Sequence, residues 1–301
     1  MIRSEIVSLP HGITLDCRVS GQAGQPVMLF LHGFPEAAFA WDELLLHFSQ
    51  AAHGGYLCVA PNMRGYAGSS APTDVKAYRA KELVKDIVAL TQHFSADRPL
   101  ACLLAHDWGG AVAWNMANQH PALMHKLAII NSPHPGTFLR DLKNDSKQQS
   151  SSDYMNFLIR EDASRLLSEN DFRRLWTFFS NMGAESGPHA WLDEATKDQY
   201  RQVWNQGLDG ALNYYRASPL RPATAKDPAA SAIDLPMEML RILVPTLVIW
   251  GMQDTALSPG LIDGLEDFVP ELELHKVDEG THWLVHEQPE LIIEIIRNWI
   301  R

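Results

Sequence analysis

The sequence predicts an α/β fold: a mostly parallel sheet with helices on both faces, interrupted by a helical insertion. Three observations carry that expectation. Short, continuous apolar runs such as Val27–Leu31, Leu100–Ala105 and Pro245–Trp250 read as strands buried on both faces. Stretches with helical apolar spacing lie between them, as with Leu83, Ile87 and Leu90 in Tyr78–Phe94. The alternation then stops from about Gly136 to Asp234, where an aromatic-rich, mostly helical segment intervenes, and it resumes at Pro245. Strands alternating with helices bury a parallel sheet between helical layers.

In chain order, Ile2–Leu9 and Ile13–Val19 read as strands joined by a Pro10-His11-Gly12 turn. Val27–Leu31 is followed directly by His32-Gly33-Phe34-Pro35. A helix is expected from about Trp41 to Ala51, a strand at Tyr56–Ala60, and a Gly-rich loop over 61–70. Next come the Tyr78–Phe94 helix, the Leu100 strand, a helix over Ala111–His120 and a strand at Lys126–Asn131. After the insertion the pattern predicts a strand to Trp250, a helix near Pro259–Phe268, a strand at Glu271–Val277 and a final helix over Pro289–Ile300. The expected organisation is a core of 1–135 and 237–301 with a helical unit of 136–236. An insertion over the C-terminal strand ends would lie where open α/β sheets bind ligands.

Composition narrows the function. The 301 residues are 46% hydrophobic and 20% charged, a normal globular balance, and the formal net charge of -11 argues against nucleic acid and anionic membrane. The three cysteines, Cys17, Cys58 and Cys102, lie in apolar runs at no metal-ligand spacing and read as buried thiols. The first residues lack the apolar core of a signal peptide, and no run is long enough to span a membrane, so a cytoplasmic protein is expected.

The chemistry centres on Leu100 to Gly110. An apolar strand runs into His106-Asp107-Trp108, and Gly109-Gly110 opens a helix. That is the form of a nucleophile elbow, in which small residues let strand and helix crowd together. Ala105 stands where the usual pattern has Gly, and Asp107 stands where it has Ser. Serine attacking an sp3 carbon would leave an inert ether. A carboxylate leaves an alkyl ester that water can hydrolyse. Asp107 alone would also suit a helix N-cap. Asp254 and His282 sit at later strand ends, giving the order nucleophile, acid, base. His282 can take a proton from water near neutral pH, and Asp254 can hold its tautomer. Asn131 also ends an expected strand, but an amide cannot carry the charge of the acid, which favours Asp254. The backbone N–H groups of Phe34 and Trp108 are expected to form an oxyanion hole.

These motifs resemble the α/β-hydrolases, and most of all their epoxide hydrolase branch. The residues that carry the resemblance are His32-Gly-Phe-Pro-Glu36, Arg64 to Pro72, His106-Asp-Trp-Gly-Gly110, Asn131-Ser-Pro133, Asn213-Tyr-Tyr-Arg216 and Gly280-Thr-His-Trp283. The resemblance covers nearly all of 1–135 and 240–301. It implies a cofactor-free enzyme, with no metal, that opens a small apolar or aromatic epoxide to a vicinal diol. It also implies two cap tyrosines that hydrogen-bond the epoxide oxygen, matched here by Tyr215 and, in a looser context, Tyr154. With Phe34 and Trp108 these would line the substrate site. Tyr200 and Tyr214 read as structural, as does His134.

Two other readings stay open. A haloalkane or haloacid dehalogenase would use the same Asp nucleophile. However, Phe34 stands where many haloalkane dehalogenases have Asn. Trp108 and Gly110-Ala111 stand where fluoroacetate dehalogenases have arginines. A non-catalytic binding protein on the same fold is the third, against which the complete triad argues. The sequence leaves the oligomeric state open, a homodimer included.

Overall fold

The computed structural model describes residues 1–301. Eight strands form one sheet: β1 (Arg3–Ser8), β2 (Thr14–Ser20), β3 (Val27–Leu31), β4 (Leu57–Pro61), β5 (Cys102–His106), β6 (Leu127–Ile130), β7 (Thr246–Gly251) and β8 (Leu272–Val277). Their order is β1-β2-β4-β3-β5-β6-β7-β8. The first two pairings are antiparallel and the other five parallel. Every residue of β3 to β7 is buried, as apolar runs without alternation require.

The helices are α1 (Asp42–Phe48), α2 (Ala80–Phe94), α3 (Asp107–Gln119), α4 (Pro135–Asn144), α5 (Ser146–Ser151), α6 (Tyr154–Leu158), α7 (Ala163–Ser180), α8 (Glu194–Trp204), α9 (Asp209–Ala217), α10 (Leu284–Glu287) and α11 (Pro289–Ile300). Alternate residues of each strand serve opposite cores. Leu29 and Leu31 pack with Leu83 and Ile87 of α2 and Val112 of α3, whereas Met28 and Phe30 pack with Leu44 of α1 and Ile292 of α11. The helices α4 to α9 fall between β6 and β7, where the aromatic segment interrupts the pattern.

Three expectations shift. His106 belongs to β5, so α3 starts at Asp107 rather than Ala111. The helix expected near Pro259–Phe268 is two single 3-10 turns, Pro259–Ile262 and Leu265–Asp267, because Gly264 takes a left-handed φ of 79° between them. The Trp41–Ala51 helix contracts to Asp42–Phe48, flanked by 3-10 turns. The final helix spans Pro289–Ile300 as expected.

Candidate active site

Asp107 sits at the junction of β5 and α3 with φ 48°. The left-handed region is uncommon outside glycine, though Asp tolerates it, and here it falls at the C-terminal end of a central strand. The junction is tight. A Cβ on Gly109 would lie 2.3 Å from the Leu31 carbonyl oxygen, and one on Gly110 would lie 2.3 Å from Cβ of Ser132. Ser132 Oγ donates to the Asp107 carbonyl at 2.6 Å.

The loop after β3 meets Asp107 from the other side. Phe34 N–H donates to Asp107 Oδ1 at 2.7 Å. A Cβ on Gly33 would stand only 2.1 Å from the same oxygen, so no larger residue fits there. His32 shapes this loop by accepting from Met63 N–H at Nε2 and donating from Nδ1 to the Gly33 carbonyl. Burial holds its pKa down to about 4, so the ring stays neutral. Trp108 N–H, the second expected oxyanion donor, follows Asp107 in the first turn of α3.

The loops after β7 and β8 bring in the other two groups. His282 Nδ1 donates to Asp254 Oδ2 at 2.7 Å, and its Nε2 lies 3.7 Å from Asp107 Oδ2. Asp254 is buried and well supplied with donors: Asn131 Nδ2 on Oδ2, and the N–H groups of Ala256 and Leu257 on Oδ1. Burial alone would lower the His282 pKa. The charge and hydrogen bond of Asp254, and then the charge of Asp107, outweigh it and raise the pKa to about 9. Asp107, Asp254 and His282 thus come together as their order suggests.

Tyr154 on α6 and Tyr215 on α9 face this cluster. Their rings lie 6.2 Å apart, and Tyr215 packs edge-on against Trp108 at 5.0 Å and Phe34 at 5.3 Å. Burial pushes both phenols well above 10, and the charge of Asp107 pushes each further, so both are neutral O–H donors. Asp107, Trp108, Tyr154 and Tyr215 all line one cavity of about 290 Å³. Hydrophobic residues make up 17 of its 24 lining residues, and Asp107 is its only charged one. A larger, polar surface cleft of about 470 Å³ lies between the 65–75 loop and α9 and holds none of the triad.

Tyr214 and Tyr200 are buried; Tyr214 donates to the Arg64 carbonyl at 2.9 Å and also borders the cavity. His134 caps α4 by accepting from Gly136 N–H, bonds the Leu240 carbonyl and lies outside the cavity lining. The sequence reading missed Asn131 as a support for Asp254. It also missed a buried group behind His282, in which Glu36 is held by His106 and His286. A signal was present: Glu36 directly follows His32-Gly33-Phe34-Pro35, the run expected to supply an oxyanion donor.

The fold and this site define a hydrolase of the α/β type. The family described as alpha/beta hydrolase fold matches residues 26–289. The chain is 32% identical to AB hydrolase superfamily protein YfhM of Bacillus subtilis, over 97% of this chain and 96% of that one. It is 30% identical to epoxide hydrolase 4 of Mus musculus, over 95% of this chain and 76% of that one. A solved structure of Bacillus megaterium epoxide hydrolase with an inhibitor superposes with a TM-score of 0.87 at 28% identity, covering 98% of this chain and 99% of that one. The chain belongs to the epoxide hydrolase branch of the α/β-hydrolase superfamily.

Proposed function

We propose that this enzyme opens neutral, largely apolar epoxides to vicinal diols through an ester on Asp107, with residues 136–236 acting as a cap over the 1–135 and 237–301 core. The observation that carries this reading is the pair of neutral phenols, Tyr154 and Tyr215, on the cavity wall that faces Asp107. An alkoxide is a poor leaving group, and a positioned phenol is the donor it needs. Phe34, expected to line the substrate site, packs its ring edge-on to Tyr215 outside the cavity lining and offers no side-chain donor for a halide. The cavity wall also carries no cation that would hold a substrate carboxylate.

The steps follow from the geometry. Asp107 Oδ2 attacks an epoxide carbon, the carbon–oxygen bond breaks, and a tyrosine proton goes to the departing oxygen. Oδ1, already held by Phe34 N–H, becomes the ester carbonyl. Esterification removes the Asp107 charge, one of the causes that raise His282. The His282 pKa then falls, its proton restores the phenol, and the imidazole is left as a neutral base. It takes a proton from water, which attacks Cγ of the ester, and Asp254 stabilises the imidazolium. The N–H groups of Phe34 and Trp108 stabilise the oxyanion. Collapse breaks the ester bond, the diol oxygen takes the proton from His282, and the Asp107 acid returns one to it.

A product assay on aryl epoxides and haloalkanes, with Asp107→Asn and Tyr215→Phe as controls, tests the reading. Diol formation impaired in both variants supports it. Halide release that needs Asp107 but is indifferent to Tyr215 would replace it with a dehalogenase.

A further inference from the structure

His282 is held by its main chain as well as by Asp254. His106 Nε2 lies 2.8 Å from the His282 carbonyl oxygen, and the two rings are 4.7 Å apart. A carbonyl only accepts, so Nε2 carries a hydrogen. His106 Nδ1 lies 2.8 Å from Glu36 Oε2. The other oxygen, Oε1, lies 2.8 Å from His286 Nε2, which is 2.9 Å from the Tyr200 hydroxyl. Glu36 and His106 are both buried. Burial pushes the Glu36 carboxyl up, but the two histidines pull it down further, and it stays ionised. His106 therefore links the Glu36 carboxylate to the main chain of His282.

His286 joins this chain of bonds to the helical insertion. It stands on α10, four residues beyond His282, and stacks on Trp191 with centroids 4.0 Å apart. Tyr200 lies on α8, and Trp191 lies just before that helix. Phe179 of α7 packs on Trp283, the residue after His282, at 4.5 Å. The insertion therefore grips the loop that carries the catalytic base as well as roofing the cavity.

We propose that His286 is a positioning residue for the hydrolytic half of the reaction: through Glu36 and His106 it fixes the His282 backbone, and through Tyr200 and Trp191 it makes that support depend on how the helical insertion is seated. The proposal rests on the two-step reading above. Its consequence is selective, because ester formation uses Asp107 and the two tyrosines, whereas ester hydrolysis uses His282.

The test is single-turnover kinetics with styrene oxide, following the covalent Asp107 adduct by quenched-flow mass spectrometry in wild type, His286→Leu, His286→Gln and Tyr200→Phe. A base misplaced by a fraction of an ångström should slow adduct decay about 10-fold in His286→Leu and Tyr200→Phe. Adduct formation, and with it kcat/KM, should stay within about 2-fold. His286→Gln keeps an N–H donor for Glu36 and should recover most of the decay rate. Formation and decay falling together, or neither changing, would overturn the proposal. If His286→Leu does not fold, Tyr200→Phe, which deletes one hydroxyl, decides it on the same criteria. A wild-type enzyme that turns over styrene oxide with no adduct would instead sink the two-step reading.

Discussion

Asn131 donates from its side-chain amide to Oδ2 of Asp254 at 2.8 Å, the same oxygen that receives His282 Nδ1. Its own oxygen accepts from Gly251 N–H at 3.1 Å, so the amide is fixed at both ends. Asn131 takes a left-handed φ of 39°, which Asn adopts more readily than most residues. The acid of the triad is thus oriented from the end of the neighbouring strand.

Replacing Asn131 by Ala strips one donor from a buried carboxylate and places Ala in a left-handed conformation. Together these should cost about 3 kcal/mol of stability. Denaturant unfolding of wild type and Asn131→Ala checks this, and adduct decay should slow in the same variant.

In the proposed mechanism the phenols act on the other half of the reaction. Tyr215→Phe and Tyr154→Phe each remove a proton donor from the opening epoxide, and each should slow adduct formation on the order of 100-fold. Adduct decay should be little changed. Single-turnover traces separate the two phases.

Gly33 leaves no room for a methyl group, since its Cβ would lie 2.1 Å from Asp107 Oδ1. Gly33→Ala should push the carboxylate off Phe34 N–H and lower kcat/KM by on the order of 100-fold. A crystal structure of the variant should show Asp107 displaced.

His282 also makes stability depend on pH. Its pKa is raised from 6.5 to about 9 in the folded protein, so folding favours the protonated form. That contribution is full below pH 6.5 and is lost as pH rises through about 9. The Tm advantage of wild type over His282→Gln should therefore shrink between neutral pH and pH above 9. An advantage that is flat or grows with pH would contradict the assignment.

Much of this site was legible because its parts sit at strand ends, where the sequence itself marks the change from apolar run to turn. Asp107, Asp254 and His282 follow β5, β7 and β8 in that way. Tyr154 and Tyr215 were reached through the resemblance, and the cavity holds both. The supports were harder to see. Glu36, His106, Tyr200 and His286 come from four distant segments, and no spacing along the chain announces that they meet. Asn131 read only as an acid that is missing, because its worth lies in a hydrogen bond to a side chain beyond the helical insertion. The helix expected near Pro259–Phe268 had apolar residues to support it, but Gly264, in a left-handed conformation, cuts it into separate turns.

The covalent role of Asp107 is tested most directly by one turnover of an aryl epoxide in heavy-oxygen water, with enzyme in excess, followed by mass spectrometry of the peptide that carries Asp107. Water that attacks the ester carbonyl leaves its oxygen on the enzyme. The label should therefore appear in the Asp107 carboxylate and be absent from the first diol formed. Label in the diol with Asp107 unlabelled would mean that water attacks the epoxide directly, and the nucleophilic role of Asp107 would be wrong.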